Sequence, residues 1–388
     1  MTPAARIQAS IEILDEYLSG MPVEKALTGW ARRSRFAGSK DRAAVRDHVF
    51  DALRCRRSFA ALGGTGSGRG LMIGAQRAAG ADPNLLFTGE RHAPDTLKPS
   101  ETPRDFASEA ERLDIPEWLW PEFESSLGRE ANAAARALQS RAPVHLRVNQ
   151  AKGDREQAAS ELAGEGIQTR PHPACDTALD VTEGVRKVAQ SRSYLSGLVE
   201  LQDAASQAVV AALPLRPGMR VLDYCAGGGG KALAIAARPE RVQVFAHDAN
   251  PDRMRDLPVR AERAGAKVAI VTSEQLRGQT AFDVVLTDVP CSGSGSWRRS
   301  PAGKWALTRD RLDSLAQTQL QILRDVVPFV AEGGVLAYAT CSMLSIENDE
   351  IIDAFVAERP EWGRTWRKQW RVSEGTDGFY SAHLVRKN

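Results

Sequence analysis

Two cysteines followed by serine carry the chemistry most available to this chain. Cys291 lies in Leu286-Thr-Asp-Val-Pro-Cys-Ser-Gly-Ser-Gly295 and Cys341 in Leu336-Ala-Tyr-Ala-Thr-Cys-Ser342, each closing an apolar run that reads as a strand. Either cysteine alone would more often be a small core residue. Two thiols at neighbouring strand tips, with Asp288 held beside the first by proline and glycines, point instead to covalent chemistry. A third segment, Val221-Leu-Asp-Tyr-Cys-Ala-Gly-Gly-Gly-Gly-Lys231, runs from an apolar strand through four glycines into a helical stretch. In it Cys225, Ala226, Gly227, Gly228, Gly229, Gly230 and Lys231 form a nucleotide-type loop. Glycines let the backbone approach a ligand, and exposed amides at the next helix start favour its negative groups. A plain tight turn has the same composition, and the downstream residues of a phosphate-binding P-loop are missing. Asp248 ends the following strand, where nucleotide-binding sheets grip ribose hydroxyls; capping the segment that begins at Pro251 is the other role open to it. Glu274 follows the third strand and is expected on the adenine side, unless it is a solvated loop glutamate.

These residues need a frame that brings strand tips together. Strands are expected at 220–225, 242–247, 267–271, 282–287 and 334–340, with helical segments between them. Such alternation implies a parallel, doubly wound, Rossmann-like sheet that binds ligands at the carboxyl ends of its strands. Residues 378–385 should add a final edge strand. Upstream, a strand at 144–149, a helix near 154–163 and a strand at 178–182 suggest a small α/β module. The first sixty residues read as helices, with Ile7, Ile11, Leu14 and Leu18, then Val45, Val49 and Leu53, at three- and four-residue spacing. Glycine-rich 61–69 and proline-rich 92–104 should be loops, and helical pattern resumes over 107–140. The expected division is therefore an all-α domain at 1–140, the small module at 141–200 and a catalytic domain at 201–388.

Composition sets the outer limits. With 388 residues, 43% of them hydrophobic and 26% charged, the chain has the make-up of a folded, multi-domain globular protein. No stretch approaches the roughly eighteen apolar residues of a membrane span. Glu12, Asp15 and Glu16 interrupt Met1–Leu18 where a signal peptide would be apolar. A cytoplasmic location without a membrane partner is expected. None of the five cysteines forms a Cys-x-x-Cys pair, so neither a metal site nor a disulfide framework is suggested. The net charge is only +2, but between Arg32 and Arg57 nine Lys or Arg face three Asp. Such a run is either a solvated helical face or a phosphate-binding surface.

Asp288-Val-Pro-Cys-Ser-Gly-Ser-Gly295 and Tyr338-Ala-Thr-Cys-Ser342 resemble the Fmu/Sun (RsmB-type) RNA cytosine-5 methyltransferases. The resemblance extends to Leu146-Arg-Val-Asn149, Leu201-Gln-Asp-Ala-Ala-Ser206, Arg298-Arg-Ser-Pro-Ala-Gly-Lys-Trp305, Ile346-Glu-Asn348 and Asp377-Gly-Phe-Tyr380, nearly the whole chain. The N-terminal portion is similar to the NusB-like helical domain of bacterial members. The resemblance implies S-adenosyl-L-methionine as cofactor, Cys341 as nucleophile, Cys291 assisting product release and Asp288 contacting the cytosine ring. The glycine loop, Asp248 and Glu274, read from their places at strand ends, and Asp288 are then expected to line the cofactor site. Two departures stand out. The family loop reads Cys-Ala-Ala-Pro-Gly-Gly-Lys, so the proline is lost here, and flexibility should lower cofactor affinity. Valine replaces the usual alanine after Asp288, a small steric change.

Carbon 5 of cytosine is a poor nucleophile until a group adds to carbon 6, and a thiolate suits that addition. RNA is the expected partner, 16S ribosomal RNA favoured over transfer RNA, and the protein is expected to be monomeric. Arg298, Arg299, Lys304, Arg309 and Arg311, with Trp297 and Trp305, have a composition suited either to phosphate contact and base stacking or to a helix start with two core tryptophans. Trp362, Trp366 and Trp370 read as a packed face. A DNA cytosine methyltransferase would share Pro-Cys but has no need of the second Thr-Cys. A non-catalytic RNA-binding assembly factor is the remaining class, which cofactor binding would separate.

Overall fold

The computed structural model describes residues 1–387, which divide into two compact units: Met1–Arg141 with Trp297–Ala306, and Ala142–Ser296 with Leu307 onward. The N-terminal unit is all-helical. Its first helix, Pro3–Leu18, starts where the Thr2 hydroxyl accepts from the Ala5 amide, the ordinary way of satisfying an orphan donor. Ile7, Ile11 and Leu14 pack with Val45, Val49 and Leu53 of the helix Ser39–Arg54. The segment 297–306, read from sequence as part of the catalytic domain, belongs to this unit. Trp305 Nε1 donates to the Leu53 carbonyl (2.6 Å) and Lys304 Nζ to that of Arg54 (3.0 Å), while Arg54 Nε donates to the Arg298 carbonyl (2.8 Å). The first two cap carbonyls that the end of a helix leaves without intrahelical partners.

The second unit holds two sheets. The smaller, with strands β1 (Val144–Val148), β2 (Gln168–Pro171), β3 (Ala178–Glu183) and β4 (Val199–Leu201), is antiparallel in the order β2-β3-β1-β4. The larger comprises β5 (Arg220–Asp223), β6 (Gln243–Ala246), β7 (Val268–Ile270), β8 (Phe282–Asp288), β9 (Val330–Thr340), β10 (Trp362–Trp370) and β11 (Phe379–Arg386). Its order is β10-β11-β9-β8-β5-β6-β7. Strands β5 to β9 are mutually parallel, and β11 and β10 run antiparallel at one side. From β5 the chain winds first towards β6 and β7, then returns to place β8 on the other side of β5. That reversal opens a crevice at the carboxyl ends of β5 and β8, where ligands of doubly wound sheets bind.

The five parallel strands lie where the apolar runs placed them, but residues 379–386 are not an edge strand. They pair on both sides, and the edge is β10. A register irregularity between Arg364 and Trp366 places Trp362 in the apolar cluster on one face of the sheet and Trp366 and Trp370 in that on the other. Inserting a residue in a period-two strand has this consequence. Among the described residues no helix is long and apolar enough to cross a membrane.

Candidate active site

The loop after β5 is bent by Gly227 (φ 51°) and Gly229 (φ 77°), backbone conformations that disfavour side chains. At Gly229 a Cβ would also lie 2.2 Å from Leu257 Cδ1. Gly230 begins the helix Gly230–Ala236. The loop is held from three directions. Asp248 Oδ2 accepts from the Gly227 amide (2.9 Å), the Arg260 guanidinium donates to the Gly228 carbonyl, and Arg147 of the small sheet donates to the Gly230 carbonyl (2.7 Å). Arg147 is buried, which lowers its pKa to about 10. Leu146-Arg-Val-Asn149 thus buttresses the loop, and Asn149 Nδ2 reinforces the same junction by donating to the Ala264 carbonyl (2.8 Å).

Asp248 is buried just beyond β6; its Oδ1 accepts from the Asn250 amide (2.9 Å), and Arg253 lies 3.3 Å from its Oδ2. The cap of the turn at Pro251 is Asn250, not Asp248. Asp248 therefore stands at the strand tip expected of a ribose-binding acid, with its carboxylate also organising the loop. His247 Nδ1 faces the Tyr224 carbonyl (2.9 Å) and Nε2 the Ser273 hydroxyl (2.9 Å). Since a carbonyl only accepts, the proton belongs on Nδ1. Glu274 is exposed in the first turn of Ser273–Arg277 and makes no hydrogen bond or ion pair among the described residues. Nothing in the protein draws it towards the glycine loop.

At the crevice, Lys231 Nζ and Asp288 Oδ2 are 2.6 Å apart, and the ammonium sits 5.0 Å from the centre of the Phe379 ring. Burial acts to discharge Lys231, but the Asp288 carboxylate prevails and holds its pKa above the ordinary lysine value. Asp223, at the tip of β5, is fully buried; the Ala232 amide faces its carboxylate, but neither oxygen takes part in a well-formed hydrogen bond. Burial, with the Asp288 charge adding to it, raises its pKa to about 7. Sequence reasoning passed over Asp223, although its place one residue before the Tyr224-Cys225 turn is the available signal. An unsatisfied carboxylate beside a glycine cradle fits a ligand bearing a positive group.

The two thiols meet. Cys291 Sγ and Cys341 Sγ are 3.3 Å apart, on the loops that follow β8 and β9. The hydrogen bond to Cys341, followed by burial, raises the pKa of Cys291 well above the usual thiol value. Either sulfur can be the donor in this contact. Cys225 does not join them; burial raises its thiol too, which makes it inert. The Cys291 loop is threaded against β11's start, the Gly295 amide donating to the Cys341 carbonyl (3.0 Å) and the Gly378 amide to the Gly295 carbonyl (3.0 Å).

The tryptophans and cations beyond Cys291 divide differently from a base-stacking surface. Trp297, Arg298 and Lys304 are buried, and Trp305 is half-buried and hydrogen-bonded; Arg299, Arg309 and Arg311 stay exposed. One buried His/Asp group, His145, His172 and Asp180, brings potential metal-ligating atoms within 4.8 Å of one another. However, His172 Nδ1 accepts from the Ala174 amide (3.1 Å), and burial keeps this ring below its ordinary pKa. Its proton then lies on Nε2, 3.9 Å from Asp180 Oδ1 and beyond hydrogen-bonding distance, so that edge offers no lone pair to a metal.

Residues 210–385 match the family described as 16S rRNA methyltransferase RsmB/F, and residues 115–187 the RsmF/B-like ferredoxin-like domain. The ribosomal RNA small subunit methyltransferase B of Citrobacter koseri is 33% identical over 297 residues, 73% of this chain and 69% of that one. The chain belongs to the RsmB/F family. The probable ribosomal RNA small subunit methyltransferase B of Bacillus subtilis is 32% identical over 300 residues, 70% of this chain, and the match spans 66% of its length. Among solved structures, PH0851 aligns over all of this chain and 99% of its own (TM-score 0.80, 22% identity). NSun6 from Pyrococcus horikoshii, solved with SFG, aligns over 70% of this chain and 99% of its own (TM-score 0.62, 18% identity). Both share the fold.

Proposed function

We propose that this protein is an S-adenosylmethionine-dependent RNA cytosine-5 methyltransferase acting on small-subunit ribosomal RNA, with Cys341 as nucleophile. The observation that carries this is the pair of thiols 3.3 Å apart, at the strand ends that also bear the Lys231–Asp288 pair. Family membership adds the substrate class. The cofactor supplies an electrophilic methyl group on a sulfonium. The residues present fit it: Gly227 to Gly230 leave room for close approach, Asp248 is at the ribose-binding tip, and the unsatisfied Asp223 suits its ammonium group.

The Cys341 thiolate, stabilised by the Cys291 S–H, adds to carbon 6 of a cytosine that has left its stack. The carbon 5–carbon 6 electron pair shifts into the ring, where a proton shared between Asp288 and nitrogen 3 offsets the developing negative charge. Carbon 5 then takes the methyl group. With Cys341 now a thioether, the hydrogen bond that raised the Cys291 pKa is gone, and Cys291 releases its proton to water. As a thiolate it removes the carbon 5 proton, the carbon 6–sulfur bond breaks, and Cys341 leaves as thiolate. The resting pair is restored.

RNA would be held partly by the N-terminal unit. Of its basic run, Arg54 is buried in the helix-end network, and Arg57 bonds Glu117. Arg32, Arg35, Arg42 and Arg46 line a groove of about 630 Å³ with Trp30. Arginines along one groove suit the phosphates of a single strand.

The test uses substrate RNA and S-adenosylmethionine. Cys291→Ala should attack and methylate yet release slowly, accumulating a denaturant-resistant protein–RNA adduct that the Cys291→Ala/Cys341→Ala double variant cannot form. An adduct with Cys341→Ala but none with Cys291→Ala would reverse the two roles. Bisulfite sequencing of RNA from a deletion strain names the target; loss of a transfer RNA 5-methylcytosine in place of a ribosomal one would overturn the substrate.

A further inference from the structure

Glu347 is completely buried, on the turn Ser345–Glu347, and makes no ion pair among the described residues. Its partners are neutral donors. Oε1 accepts from the Ser292 amide (2.7 Å) and Gln319 Nε2 (3.0 Å), and Oε2 from the Ser292 hydroxyl (2.5 Å) and the Ser342 hydroxyl. Ser292 and Ser342 are the residues that follow Cys291 and Cys341. A single carboxylate thus holds both thiol-bearing loops, fifty residues apart in sequence. The turn is itself pinned to β9. Tyr338 Oη donates to the Glu347 carbonyl (2.6 Å), the Thr340 hydroxyl to Asn348 Oδ1 (2.6 Å), and Asn348 Nδ2 to the Ser342 carbonyl (3.0 Å).

We propose that Glu347 is the positioning residue of the two-thiol site, fixing the distance between Cys291 and Cys341 by bonding the residue after each. Packing alone does not account for a carboxylate there, because a buried anion without a cation is expensive to desolvate. A carboxylate is acceptor-only and can take four donors at once. Glutamine could satisfy the same groups, because the two serine hydroxyls accept as well as donate, whereas leucine, of similar volume, offers no acceptor to any of the four donors. The negative charge also helps keep Cys291 protonated beside Cys341.

The geometric part is tested without relying on the catalytic assignment. Phenylarsine oxide condenses with two adjacent thiols, its oxygen leaving as water and two arsenic–sulfur bonds forming. The full-length protein should bind one arsenical against a monothiol competitor, measured by intact mass, and Cys291→Ala or Cys341→Ala should abolish the chelate. Glu347→Leu, which removes every acceptor site, should weaken it about tenfold or more, the loss of at least one charge-assisted hydrogen bond. S-adenosylmethionine affinity should remain unchanged. Single-turnover methyl transfer should fall about 100-fold, as expected of a misplacement near 1 Å. If Glu347→Leu does not fold, Ser342→Ala, which removes one arm only, gives the same comparison. A folded variant that holds the arsenical as tightly as the parent, or a parent that does not chelate it, overturns the proposal. Absence of methylation by the parent would instead refute the functional assignment and leave the chelation result standing.

Discussion

Asp223→Asn is the substitution with the largest calculable effect. The carboxylate is fully buried, lacks a well-formed hydrogen bond, and has its pKa raised from 3.8 to about 7. A folded value above the unfolded one means that folding favours the neutral acid. Stability is then unimpaired below pH 4 and falls as pH rises towards 7, where the folded group finally ionises. The gap of about 3 units corresponds to about 4 kcal/mol at pH 8 and about 2 kcal/mol at pH 5, at 1.36 kcal/mol per unit. Asparagine resembles the neutral acid, so the variant without cofactor should be more stable than the parent by up to those amounts, with the gain vanishing below pH 4. Urea denaturation across this range measures it, and amide exchange of β5 localises it to the site. A gain independent of pH, or a loss at pH 8, would refute the assignment of a strained carboxylate. If Asp223 is reserved for the cofactor's ammonium group, the stabilised variant should also bind S-adenosylmethionine more weakly, an activity–stability conflict typical of functional sites.

Gly229→Ala should destabilise the catalytic unit by about 2–4 kcal/mol, combining a left-handed backbone with a Cβ driven into Leu257; calorimetric melting checks this, and an unchanged melting temperature would mean that the loop relaxes. Asp248→Ala removes two amide bonds that hold the loop and should raise the cofactor dissociation constant at least about tenfold; titration calorimetry showing unchanged affinity would remove Asp248 from the site. Deleting residues 1–140 takes away Leu53 and Arg54, the partners of Trp305 and Lys304, so trypsin should cut at Arg298, Arg299 and Lys304 much faster; equal rates would show that the segment holds itself. Replacing Arg32, Arg35 and Arg42 by alanine should lower the slope of log RNA affinity against log salt by about 2, near 0.7 for each single-strand phosphate contact, and an unchanged slope would place the RNA elsewhere.

What was legible in the sequence was whatever local pattern determines. Apolar runs ending in glycine, cysteine or aspartate specify strand tips, and alternation with helices specifies their parallel order, so Cys291, Cys341, Asp288 and the glycine loop could be placed at one sheet edge. Patterns that depend on partners were not. Trp362, Trp366 and Trp370 recur every four residues, a spacing that suits a helix face, yet they occupy a strand whose irregularity sends them to both faces of the sheet. Trp305 and Lys304 resemble a nucleic-acid surface by composition but turn inwards to bond the carbonyls at the end of a helix far away in sequence.

Glu347 was named only within Ile346-Glu-Asn348 and Asp223 only within the strand before the glycine loop; their roles were not legible, for opposite reasons that both follow from how a carboxylate is satisfied. Glu347 is bonded by groups from three separated segments, which no short window contains. The trace it leaves is indirect: each candidate cysteine is followed by serine, and two hydroxyls beside two thiols need a common acceptor. Asp223 is marked by the lack of bonds, and sequence records no such lack. Together the two acids differ in what fixes the site. Glu347 spends its acceptors within the protein and makes the thiol pair rigid, whereas Asp223 keeps its acceptors unspent. A buried charge of the first kind should tolerate cofactor removal without change in its surroundings; one of the second kind should respond to the cofactor with a fall in pKa as the missing donor arrives.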